Sequence, residues 1–368
     1  MRLRSLDVFR GLTMAAMVIV NNPGDWDTVY WPLLHAEWHG WTPTDLVFPF
    51  FLFIVGVAMA QSDPARHRPG AVVRRGAALV GAGLFLAGFP FFAPARWRLP
   101  GVLQRIGLCY LAAAFVWRAI ERPGDRLATL RRAGAAAAAC LLAYWALLAL
   151  VAPPGGAAGD LTAEGNLGAW LDRAVFGTHL WRAQWDPEGL LSSLPAVGTT
   201  LLGLAAGLWI ADGRPACRAP GLIWVGTAAA VAGLAWDAAL PINKALWTSS
   251  YALFTAGVAA VVLGLLHRRL DDGRSSPALD AATEPFVALG RNALLLFVVS
   301  GLVAKSLILW KVGGGAGEPV SLQRWLYVTA FQPLAAPKVA SLLFAVANLA
   351  GLYALLAWLH RRRWYWSV

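Results

Sequence analysis

Ten segments of roughly twenty mostly apolar residues dominate this chain, at 6–22, 43–62, 70–92, 100–120, 130–152, 190–211, 218–237, 246–267, 284–310 and 334–360. A helix needs about 20 such residues to cross the hydrocarbon core of a bilayer. No water reaches backbone amides there, so such segments have to satisfy them internally, as helices do. The expected fold is all-α: a polytopic transmembrane helical bundle of about ten spans, one domain over 1–368. Charged residues make up 14% of the chain, against about a quarter in a soluble domain. Many of the 19 Trp stand beside loops, as in interfacial aromatic belts. Ser321 to Phe331 is too short to span and reads as an interfacial helix.

The start, "MRLRSLDVFRGLTMAAMVIVNN", has the basic and then apolar order of a signal peptide. Asp7 and Arg10 interrupt it and no small-x-small cleavage site follows, so it reads as a retained first helix. With that helix entering from the cytoplasm, twenty of the 31 basic residues fall on the cytoplasmic side. That bias satisfies the positive-inside rule and puts both ends inside. The net charge of +11 is thus a topology signal and not a nucleic-acid footprint. The outer loops are then 23–42, 153–189, 238–245 and 311–333. Cys109, Cys140 and Cys217 offer no disulfide framework and are expected as free thiols.

The first outer loop holds "LHAEWHGWTPTD", with His35 and His39 four residues apart and Glu37 between them. The zinc motif H-E-x-x-H places its glutamate beside the two histidines. Here, on a helix, Glu37 would face away from His35 and His39. Asp45, the only nearby third ligand, lies across Pro43, so no metal is expected. "TPTD" reads as a helix entry, with Thr42 as N-cap, Pro43 first and Asp45 in the first turn. A histidine at a membrane mouth remains as a general base or nucleophile, or as a structural interfacial residue.

Ionisable groups inside a membrane mark sites or pathways by default. Asp7, Arg10 and Asn21 share a face of the first helix, as a polar stripe or as a snorkelling pair with a separate cap. Gln104 and Arg105 lie inside the fourth span, and Arg291, Asn292 and Lys305 in the ninth, which is long enough to tilt or break and in which Arg291 and Lys305, 14 residues apart, would share a helix face. Several buried cations suit a phosphate-bearing ligand. Two outer clusters mix polar and aromatic groups, as a sugar would require: Asp186, Glu188 and Ser192 in one, Asp237, Asn243, Lys244, Trp247 and Tyr251 in the other. Interfacial anchoring explains any single Trp equally. "GGGAG" at 313–317 lacks the P-loop lysine and reads as a turn.

Six blocks in order carry a resemblance: "RLRSLDVFRGLTMAAMVIVNN", "LHAEWHGWTPTDLVFPFFLFIVG", "RLPGVLQRIG", "DPEGLLSSLPAVGTTLLG", "LPINKALWTSSY" and "PFVALGRNALLLFVVSGL". Together they resemble the heparan-α-glucosaminide N-acetyltransferase family of transmembrane acyltransferases, in its bacterial NagX-type form. The resemblance implies transfer of acetyl from cytosolic acetyl-CoA, a co-substrate, to a glucosamine amine on the far side of a bacterial inner membrane. It implies His35 and Asn21 as catalytic residues, whereas His39 falls where the lysosomal enzyme has Asn. Asp7, Arg10, Gln104, Arg105, Asn243, Lys244 and Asn292 match family motif positions. The expected acceptor contacts are Trp38, His39, Asp45, Glu188, Asp237, Asn243 and Trp247. The expected donor contacts are Asp7, Arg10, Gln104, Arg105, Lys244, Arg291 and Asn292. Expected partners are acetyl-CoA, an amino-sugar acceptor and membrane lipid, with a homodimer as a candidate assembly and no nucleic acid. An amino-sugar transporter is the main rival, although no internal repeat supports it. A membrane scaffold leaves the buried charges unexplained.

Overall fold

The structure, a computed structural model, describes residues 3–62, 67–212, 215–273, 275–313 and 318–366. Its helices are α1 (Arg4–Asn21), α2 (Val47–Ala60), α3 (Pro69–Gly88), α4 (Val102–Ile120), α5 (Arg126–Leu150), α6 (Leu167–Phe176) and α7 (Ser193–Asp212). There follow α8 (Pro215–Trp236), α9 (Ser249–Leu270), α10 (Pro277–Arg291), α11 (Ala293–Leu309), α12 (Leu322–Leu326) and α13 (Pro337–Arg361). A two-strand antiparallel hairpin, β1 (Lys311–Gly313) with β2 (Pro319–Ser321), precedes α12 and was not expected. Of the expected "GGGAG" turn, 314–317 lie outside the described residues. Cys109, Cys140 and Cys217 are unpaired.

Among the described residues, eight helices are long and apolar enough to cross a membrane: α3, α4, α5, α7, α8, α9, α13, and α2 extended back to Pro43. The chain is a multi-pass membrane protein. Two of the ten expected spans depart from a straight apolar crossing, the ninth by the break that its length allowed. The ninth segment is a bent pair, with α10 and α11 meeting at 74°. Arg291 and Lys305 therefore sit on different helices and share no face. Lys305 Nζ instead donates to Phe89 O at 3.1 Å. The first segment, α1, carries Arg4, Asp7 and Arg10 among its 18 residues and so falls short of the composition of the others.

α1 is nonetheless central, packed against α2, α9, α10, α11 and α13. Its closest approach uses glycine on both partners. A Cβ on Gly11 would come within 1.8 Å of Phe286 O, and one on Gly290 within 2.0 Å of Asp7 O. In lipid, where hydrophobic burial gives no preference for helix over tail, such close backbone contact is a main source of association. α1 begins and α13 ends at the same end of the bundle. Arg4 pairs there with Asp280 and Glu284 of α10, and His360 of α13 meets Glu284 at 3.0 Å.

The opposite end carries the loops that build the site. The turn Pro43–Leu46 leads into α2 as the sequence predicted, with Pro43 first and Thr42 N accepted by Asp45 Oδ2 at 3.0 Å. The loop before α7 is strapped to the α3–α4 connection. Arg98 Nε donates to Asp186 at 2.8 Å and the same guanidinium closes on Glu188, while Leu99 N donates to His179 O at 3.0 Å.

Candidate active site at the loop end, and a basic cavity at the other

His35 lies in irregular chain between the short turn Trp31–Leu33 and Pro43–Leu46. No helix spans His35 to His39, so the wheel argument for the two histidines does not apply. They face different partners. His35 Nδ1 lies 2.7 Å from Asp45 Oδ1. His39 Nδ1 lies 3.4 Å from Asn243 Nδ2. Among the described residues no three His, Cys, Asp or Glu side chains converge to hold a metal.

The Asp45 carboxylate is fully buried and its position is set locally. Oδ2 accepts from Ala36 N at 3.1 Å, Thr42 N at 3.0 Å and Thr42 Oγ1 at 3.1 Å. Oδ1 faces His35 and Lys244. A carboxylate cannot donate, so the proton of this bond is on Nδ1, and in the neutral ring Nε2 is the nitrogen with the lone pair. The sequence reading gave Asp45 to the acceptor. Buried behind His35, it instead fixes the tautomer and the ring plane. His35 is half exposed, at 48%.

Lys244 joins this pair from 200 residues away. Its Nζ lies 2.9 Å from His35 Nδ1, 3.2 Å from Nε2 and 3.5 Å from Asp45 Oδ1. Being nearly equidistant from both ring nitrogens, it sits against the ring rather than along either lone pair. Burial drives the Lys244 ammonium below the usual lysine range, against the pull of Asp45 and Glu188. Lys244 was expected at the donor, and the structure moves it to the histidine.

The remaining expected acceptor residues divide. Trp38 lines the mouth, its Nε1 donating to Leu161 O at 2.9 Å and its ring set edge-on to Trp185. His39 and Asp237 are exposed, although Asp237 Oδ1 is engaged by Ile242 N at 2.6 Å. Glu188 is held by Arg98 yet lies near enough to act on Lys244. Asn243 is buried, with Oδ1 accepting from Leu246 N at 2.8 Å, so it shapes the loop under His39. Trp247 corrects the expectation outright. It is 0% exposed, packed on Phe48 and Tyr251, with Nε1 on Thr199 Oγ1 at 3.2 Å, and offers no face to a sugar. Asn21 ends α1, exposed, with no side-chain hydrogen bond among the described residues.

A second feature occupies the end where α1 begins. A cavity of about 690 Å³ runs between α1, α2, α3, α4 and the α10–α11 break. Ligand pockets typically measure about 300–1,000 Å³. Of the expected donor residues, Asp7, Arg10 and Arg291 line it. Arg10 pairs with Asp7 at 3.3 Å, and Arg291 lies 3.7 Å over the Tyr365 ring. The reading missed Arg75, a third guanidinium in the wall, because it counted only as a loop-side topology charge. The cavity climbs past Ile54 to Phe51 and Leu103. Six residues of chain, about 10 Å of rise, separate Phe51 from Asp45.

Gln104, Arg105 and Asn292 lie off this wall. Arg105 is 1% exposed, its Nη2 donating to Gly189 O at 2.7 Å and its guanidinium set over Trp247. It pins the turn entering α7. Gln104 fills the space left by Gly83, where a Cβ would stand 2.1 Å from its Oε1. Asn292 clasps the segment after α13. Sequence reading also missed Arg98, whose signal was its place at the head of the block "RLPGVLQRIG".

Comparison with known proteins adds similarities. The family model described as heparan-alpha-glucosaminide N-acetyltransferase, catalytic, matches residues 2–151. Two curated proteins, the heparan-alpha-glucosaminide N-acetyltransferases of Mus musculus and Homo sapiens, are each 29% identical to this chain over 81% of it. The matches cover 53% and 52% of those proteins, so the chain spans about half the length of the curated relatives it matches.

Proposed function

We propose that the chain moves an acetyl group from acetyl-CoA to the amine of a glucosamine-type sugar, a reading supported by the match of residues 2–151 to the family model described as heparan-alpha-glucosaminide N-acetyltransferase, catalytic. The observation that carries the proposal is the His35–Asp45 pair, with Lys244 against it, at one end of the bundle and the arginine-lined cavity at the other. The cavity end faces the cytoplasm of a bacterial inner membrane and takes the donor. The loop end faces outward and takes the sugar.

In this reading the CoA phosphates meet Arg10, Arg75 and Arg291, and the thioester reaches up past Phe51 toward His35. The acceptor amine lies at the mouth beside Trp38, His39 and Glu188. His35 Nε2 takes a proton from the amine as its nitrogen attacks the thioester carbonyl carbon. The tetrahedral oxyanion draws a hydrogen bond from Asn21, which has no competing partner, and favourable charge from Lys244. The carbon–sulfur bond breaks, and the imidazolium returns its proton to the departing thiolate. Asp45 holds the ring in the productive tautomer and offsets its transient positive charge. A two-step route replaces the first attack with one by His35 Nε2, giving an acetyl-imidazole that the amine then resolves.

The test is purified protein with labelled acetyl-CoA and glucosamine, wild type against His35→Ala. Labelled N-acetylated sugar from the wild type and a loss of at least a hundredfold in the variant support the reading. Normal turnover by His35→Ala removes His35 from the chemistry. Glucosamine uptake by proteoliposomes lacking acetyl-CoA points to a transporter instead.

A further inference from the structure

We propose that Tyr365 and Trp366 form the wall of the cavity that receives the nucleotide end of the donor, with Arg291 and Tyr365 as its contacts and Asn292 as the residue that positions them. The inference deepens the reading of the cavity as a donor site and rests on it.

Three observations carry it. First, the lining changes character along its length. Around the end where α1 begins and α2 ends stand Arg10, Arg75, Arg291, Tyr365 and Trp366, while Phe51, Leu103 and Ile106 close the other end. An acyl-CoA has the same order, phosphates and a planar base at one end and a slender pantetheine arm at the other. Second, Arg291 and Tyr365 are stacked at 3.7 Å, a guanidinium on an aromatic face. Guanidinium is the usual partner of phosphate, and aromatic rings accept a base by stacking. Arg291 Nε is buried without a hydrogen-bond partner. Third, Asn292 holds the segment from both sides of Tyr365. Its Nδ2 donates to Trp364 O at 3.2 Å, and its Oδ1 accepts from Trp366 N at 3.0 Å.

The clasp sits at the helix break. Asn292 is the N-cap of α11, its O accepting from Leu296 N at 2.9 Å, and its side chain reaches chain more than 70 residues away.

The experiment compares two donors on the full chain. Acetyl-CoA carries the nucleotide, and S-acetylpantetheine keeps the thioester and arm without it. Tyr365→Ala and Asn292→Ala are expected to raise KM for acetyl-CoA about tenfold, to weaken inhibition by adenosine 3′,5′-bisphosphate in parallel, and to leave the rate with S-acetylpantetheine unchanged. Tyr365→Phe, which keeps the stacked ring, is expected to behave as wild type. An equal loss with both donors, or no change with either, overturns the proposal, because the segment is then structural or irrelevant. A wild-type protein that neither binds CoA nor uses acetyl-CoA removes the donor reading itself, a result visible before any variant is made.

Discussion

Asp45→Asn is the substitution in which the geometry makes its sharpest demand. The side chain is fully buried, so its replacement has to satisfy the same neighbours. Three of its hydrogen bonds, from Ala36 N, Thr42 N and Thr42 Oγ1, converge on Oδ2. The asparagine oxygen takes that side because only an acceptor fits there. Its NH₂ then occupies the Oδ1 position, 2.7 Å from His35 Nδ1. An amide donor forces Nδ1 to accept, which moves the ring proton to Nε2 and removes the lone pair that takes the amine proton. Loss of a general base costs about 10²–10⁴ in rate, and the same exchange in a Ser-His-Asp triad costs about 10⁴. Asp45→Asn is therefore expected to lower kcat by about 10³–10⁴. Double variants are the control. Adding Asp45→Asn to His35→Ala is expected to cost almost nothing further, since the two act as a unit. The assay is acetyl transfer from labelled acetyl-CoA, with the fold checked by size exclusion and melting temperature. An Asp45→Asn protein that is folded and within threefold of wild type refutes the reasoning.

Two further outcomes follow from the same geometry. Lys244→Met removes the cation against the His35 ring and is expected to lower kcat about 10- to 100-fold with little change in KM for the donor, measured by steady-state kinetics; a KM effect confined to acetyl-CoA contradicts its placement. Burial pushes the Asp172 carboxyl up to about 6 from 3.8, against the Leu190 amide that hydrogen-bonds it. The folded protein then binds more protons than the unfolded chain between those values, so this group's contribution falls as pH rises from about 4 to about 6, by on the order of 3 kcal/mol. Asp172→Asn removes it, and the melting temperature of the variant relative to wild type is expected to rise over that window; a difference independent of pH sinks this account.

Much of the architecture was legible because apolar length is a local property. The start of α2 was read correctly from Thr42, Pro43 and Asp45, since capping chemistry lies within four residues. The site was legible only in part. His35 stood out as a histidine at a membrane mouth, but its partners did not. Asp45 is ten residues away across irregular chain, and a helical wheel gives no guide there. Lys244 arrives from the α8–α9 loop, a pairing fixed by packing alone. Polarity also misled. Trp247, Asn243 and Arg105 look like ligand groups in a string of letters, yet all three are buried and bond to the protein itself. The length of the 284–310 segment signalled a tilt or a break, but not that Asn292 at the break holds a distant segment.

The most direct test of the central claim, donor at one end and acceptor chemistry at the other, is sided transfer in proteoliposomes of fixed orientation. Acetyl-CoA is sealed on the side where α1 begins, and glucosamine is supplied only on the side of His35. The account predicts labelled N-acetylated sugar on the His35 side and none with His35→Ala. Product formed only when both substrates share one side contradicts it.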